Sequence, residues 1–114
     1  SNIKSIDLSG GGQTSIETPN HILIDTSQID ISNENELLAL LNSSNGVKPL
    51  TSNSFLNAEF FILWYHNESS TIKVSKVSDT NFDNNLDQAE AVAELLSLEK
   101  TALSEFIIDN FLIA

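Results

Sequence analysis

The chain has 114 residues, enough for one domain with one core, and apolar residues make up 40% of it. With 16 acids against 5 bases its net charge is −11, a field that repels nucleic acid and anionic membrane surfaces and gathers cations. Cys and Met are absent, which excludes a disulfide framework and a thiolate metal site, and no apolar run approaches the roughly 20 residues of a membrane helix.

Residues 1–20 read as a linker or a leading strand. Gly10-Gly11-Gly12 and the surrounding Ser and Thr bury little, whereas Ile3, Ile6 and Leu8 could pair with a sheet edge. A single domain is expected over 21–114. It begins with His21-Ile22-Leu23-Ile24-Asp25, a short apolar run with β-branched residues that predicts a buried strand. A helix follows from Asn33 to Asn42. Asn33 caps it, Glu36 completes a capping box, and Leu37, Leu38, Leu40 and Leu41 supply the apolar face. Asn45-Gly46 and Pro49 keep it from continuing, and the Ser/Asn-rich residues 42–57 read as a connecting loop.

The run Phe60-Phe61-Ile62-Leu63-Trp64-Tyr65 suits a central strand, and Asn67-Glu68-Ser69-Ser70 a turn. Thr71 to Ser78 alternates apolar and polar residues with period two, the mark of a half-buried strand. Beyond Ala89 the signals conflict. Ala89, Val92, Ala93, Leu96 and Leu103 fall at helical spacings, yet Val92 to Leu98 is short enough for a strand. Thr101 to Phe106 predicts a brief helix, and Ile107 to Ile113 is β-prone.

The chemistry lies between these segments, in residues 79–90, DTNFDNNLDQAE. Calcium takes six to eight oxygen ligands, and a twelve-residue loop can wrap it with alternate side chains. Asp79, Asn81, Asp83 and Asp87 stand at positions 1, 3, 5 and 9, and Asn85 at position 7 offers its backbone carbonyl. Glu90 at position 12 is long enough to close the site with both oxygens, and Leu86 at position 8 is apolar and can anchor the loop to the core. The sixth position, usually Gly, is Asn84, the next most tolerant residue of a left-handed backbone. The competing reading is an Asp/Asn-rich surface turn. Four carboxylates in one loop repel one another, so a cation would favour its closure.

From Phe60 to Ala114 the order is strand, turn, strand, DxNxDxxLDxxE, an apolar stretch, and a terminal ALSEFIIDNFLIA. This order resembles the C-terminal region of secreted bacterial proteins of the RTX, or hemolysin-type calcium-binding, class, where a "DTNxDGxxxxxE" loop follows a hairpin and the chain ends in a "DFxxxNF"-like segment. The glycine–aspartate nonapeptide repeats of the calcium β-roll are absent. The resemblance implies type I secretion and an extracellular, calcium-binding module, with the loop between strands. That context favours a strand for Val92 to Leu98. The acidic-then-apolar ending Asp109, Phe111, Leu112, Ile113 looks like an export signal, although an ordinary strand explains it as well.

Other candidates are weaker. His21 and His66 lack a companion at zinc-ligand spacing, and no Ser has a nucleophile-elbow context. Asp25, Asp30 and Glu34 form either a minor second calcium site or a solvated acidic edge. Asn42-Ser43-Ser44 and Asn67-Glu68-Ser69 match the glycosylation sequon, and Phe60, Phe61, Trp64 and Tyr65 suit core packing or, if exposed, a carbohydrate platform. The expected fold is α+β: a small mixed sheet with one or two helices and an EF-hand-like calcium loop between strands. Strands 21–25 and 60–65 should run parallel across the helix, and 60–66 with 71–78 should form a hairpin. The expected function is that of a non-enzymatic calcium-binding structural module near the C-terminus of a large secreted protein. The alternative is an adhesion or interaction module that meets a cell-surface or matrix partner, with calcium only a brace.

Overall fold

The structure, a computed structural model, describes residues 3–10, 12–16, 21–49, 59–80, 85–95 and 103. Its main element is a five-stranded mixed sheet. Strand β1 (Ile3–Ile6) lies on one edge, parallel to β3 (His21–Asp25). On its other side β3 is parallel to β5 (Glu59–His66), as a strand–helix–strand crossover requires. Strands β5 and β6 (Thr71–Ser78) form an antiparallel hairpin, and β7 (Gln88–Leu95) completes the order β1-β3-β5-β6-β7. The sheet and its helix give the expected mixed α+β class, and β3 and β6 have the bounds their apolar patterns predict.

The helix α1 (Glu34–Leu41) forms where the capping box places it. The Asn33 Oδ1 accepts from the Glu36 amide at 2.9 Å, and the Glu36 Oε2 accepts from the Ser32 amide at 2.8 Å. Leu37 and Leu41 are buried in one cluster with Leu23, Phe60, Ile62, Trp64 and Val77, which share one face of the sheet by strand parity. Ser75 also lies on this face, fully buried, where its Oγ accepts from the Trp64 Nε1 at 2.9 Å. Lys73 ties helix to sheet, its Nζ lying 3.4 Å from Glu34 and 5.9 Å from the centroid of the Trp64 ring. The opposite face carries Ile24, Leu63 and Ile72, buried together with Leu103.

The structure adds elements that the sequence pattern did not signal. Residues 42–57, expected as a loop, contain β4 (Val47–Pro49), which pairs in parallel with β2 (Thr14–Ile16) as a second, two-stranded sheet. Ile6, Leu8 and Ile16, within the segment read as a linker or leading strand, are buried in the helix-side core. Gly46 joins these parts because only glycine fits there: a Cβ would stand 1.9 Å from the Leu41 carbonyl oxygen. In the contested segment, Gln88 to Leu95 is strand. The predicted helix 101–106, apart from Leu103, and the β-prone run 107–113 lie outside the described residues, as do 96–98.

Candidate functional site: the acidic bend

The acidic bend joins β6 to β7. Ser78 and Gln88 face each other as the last register pair, and the Asp87 amide donates to the Ser78 carbonyl at 3.1 Å, so the base of the bend continues the ladder. The Asp87 Oδ1 then reaches back and accepts from the Thr80 amide at 3.0 Å and from the Thr80 hydroxyl at 2.8 Å. These bonds draw the two limbs of the bend together, and Asp79 at its start is buried, with 3% exposure.

The bend is also pinned from the side. Leu86 is 2% exposed and belongs to the cluster that contains Leu37, Leu41 and Trp64, so it anchors the loop as its position predicts. Its backbone is held by Asn42, the residue that ends α1. The Leu86 amide donates to the Asn42 Oδ1 at 2.9 Å, and the Asn42 Nδ2 donates to the Leu86 carbonyl at 2.9 Å. An asparagine amide offers one donor and one acceptor side by side, so it pairs with a peptide group as a neighbouring strand would. Nothing in the sequence marks this contact. Asn42 reads as a helix-ending polar residue, and its partner lies 44 positions away.

Asp79 directly follows β6, Asp87 is tied to Thr80, and Asn85 is exposed beside Leu86. Glu90 stands within β7, exposed, with its Cα opposite Lys76. Asn81 and Asp83 lie outside the described residues. Among the described residues no three His, Asp or Glu side chains are grouped at metal-holding distance, so Asp79, Asp87 and Glu90 are not gathered on one point. The described part of the bend has fixed feet and a buried anchor. The closure of Glu90 onto the bend is not part of the described geometry.

Several of the other candidates have hydrogen-bond or ion-pair partners within the fold. Asp25 is 2% exposed and accepts from the Ser27 amide at 3.0 Å, while Glu34 goes to Lys73. Burial holds the Asp25 carboxyl above its ordinary pKa, partly offset by hydrogen bonds from Ser27 and Leu8. Neighbouring Asp7 is pulled the other way, its carboxyl held below the usual range by hydrogen bonds from Ser9. Phe60 and Trp64 are fully buried, so neither can serve a surface carbohydrate platform. At the β5–β6 turn the His66 Nδ1 lies 2.5 Å from the Ser69 Oγ, which lies 2.6 Å from the Thr71 Oγ1, and that hydroxyl donates to Glu94 at 2.6 Å. Here the carboxylate holds the hydroxyl end of the chain. In a nucleophilic relay it would orient the imidazole.

No helix among the described residues is long and apolar enough to cross a membrane. Comparison of the chain with protein-family models, with curated proteins and with solved structures finds no match.

Proposed function

We propose that this domain is a non-enzymatic, calcium-binding structural module of a secreted protein, and that the bend 79–90 is its metal site. The observation that carries the reading is the double anchoring of an acidic bend, by Leu86 in the core and by Asn42 on its backbone. Drawing the oxygen donors of such a bend together costs repulsion, which a divalent cation offsets. The donors are Asp79, Asn81, Asp83, Asn85, Asp87 and Glu90, the last entering from β7 beside Lys76. The net charge of −11 favours cation capture over any anionic partner. Secretion, by the type I route that the family resemblance implies, would place the domain where calcium is plentiful, so that it completes folding outside the cell.

Thermal melting in calcium, magnesium and chelator tests this reading on the parent, Asp79→Ala and Glu90→Ala. At calcium a hundredfold above its Kd the parent should gain about 2.7 kcal/mol, magnesium should give less, and both substitutions should remove the gain. Equal melting temperatures for the parent in chelator and in millimolar calcium would end the proposal.

A further inference from the structure

We infer that Asn42 is a positioning residue that couples the acidic bend to the end of helix α1, so that ordering of one is felt by the other. The path is continuous. The Asn42 amide donates to the Leu38 carbonyl at 3.0 Å, which fixes it on the last helical turn. Its side chain grips both polar groups of the Leu86 backbone at 2.9 Å. The next residue, Asp87, closes the ladder on Ser78 and holds Thr80 through its carboxylate. Leu86 itself sits in the cluster that includes Leu37 and Leu41 of α1. A bend that swings away from this position must break two hydrogen bonds and draw a leucine out of the core.

The two bonds separate the residue's contributions. In Asn42→Asp the side chain still accepts from the Leu86 amide but no longer donates to its carbonyl, whereas Asn42→Ala loses both. The consequence for metal binding rests on the calcium reading above, while the coupling itself stands on the hydrogen bonds. If the bend binds calcium, the helix end should tighten with it, and removal of Asn42 should confine the tightening to the bend.

Amide hydrogen exchange on the full chain, followed residue by residue with and without calcium chloride, tests both parts. Without metal, the Leu86 amide should exchange about tenfold faster in Asn42→Ala than in the parent, while the β5–β6 ladder amides keep their rates and Asn42→Asp keeps most of the Leu86 protection. An unchanged Leu86 amide, or an equal acceleration of all amides, would overturn the coupling. With calcium, the parent should slow at Leu86 and at Leu41 and Asn42, and Asn42→Ala should slow only within the bend. Equal slowing of the helix end in both proteins would overturn the transmission. If calcium changes nothing in the parent, the metal assignment falls, and the metal-free comparison still decides the clamp.

Discussion

Replacement of Leu86 by alanine tests whether the acidic bend is anchored in the core. Leu86 is 2% exposed and shares its cluster with Leu37, Leu41, Phe60 and Trp64, so the change removes three buried carbons without exposing a polar group. The transfer contribution is ~2.4 kcal/mol at ~0.8 kcal/mol per carbon. The cavity left behind adds to it, and a loss of about 3 kcal/mol is expected, inside the usual range for leucine-to-alanine changes in cores. For a domain of 114 residues this corresponds to a fall in Tm of roughly 10–20 °C. Urea unfolding followed by the fluorescence of Trp64, the single and fully buried tryptophan, measures the loss directly. Val92→Ala serves as the control, since Val92 is 50% exposed and should change stability by only about 0.5 kcal/mol. A loss below about 1 kcal/mol for Leu86→Ala would refute the anchoring, and with it the frame on which the calcium reading depends.

Two further outcomes follow from buried polar groups. Asp25 has its pKa raised by burial, so its ionisation opposes folding: the penalty is absent below the unfolded-state pKa and grows as pH rises through the folded-state value. The stability difference between Asp25→Asn and the parent should therefore shift in favour of the variant between pH 3 and pH 7. A difference that is flat across that window, in denaturant melts at several pH values, would contradict the assignment. Ser75→Ala should cost about 1–3 kcal/mol, because the buried Trp64 indole N–H then lacks its acceptor. In a Trp64→Phe background most of that cost should vanish, and an equal cost in both backgrounds would show that the hydrogen bond is not its source.

Local pattern made part of this architecture legible. The β-branched run His21 to Asp25 and the apolar–polar pattern from Thr71 to Ser78 became β3 and β6 with those bounds, but β6 is not wet on one side as its pattern predicts: Ile72 is buried on one face and Ser75 and Val77 on the other. Asn33 and Glu36 fixed the start of α1 through bonds that span only a few residues. Leu86 could be read as an anchor because an apolar residue stands at the eighth position of the acidic segment.

Strand β7 shows where pattern stops. Its register shifts between Val74 and Ser75: Ala91 faces Ser75, Ala93 faces Val74, and Val92 is the extra residue between them. Such a bulge reverses the alternation halfway along the strand, so that Ala89 lies on the helix side and Leu95 on the other. Period two broken in this way leaves Ala89, Val92 and Ala93 at spacings that imitate a helix. Strands β2 and β4, three residues each, are too short to carry any period, and only their mutual pairing defines them. Asn42 belongs to the same class. The sequence alone determined the composition of the acidic bend and the leucine that pins it, because charge and hydrophobicity are properties of single residues. The tertiary structure decided which asparagine holds the bend and where Glu90 stands, because hydrogen-bond partners and strand register depend on segments that meet only after folding.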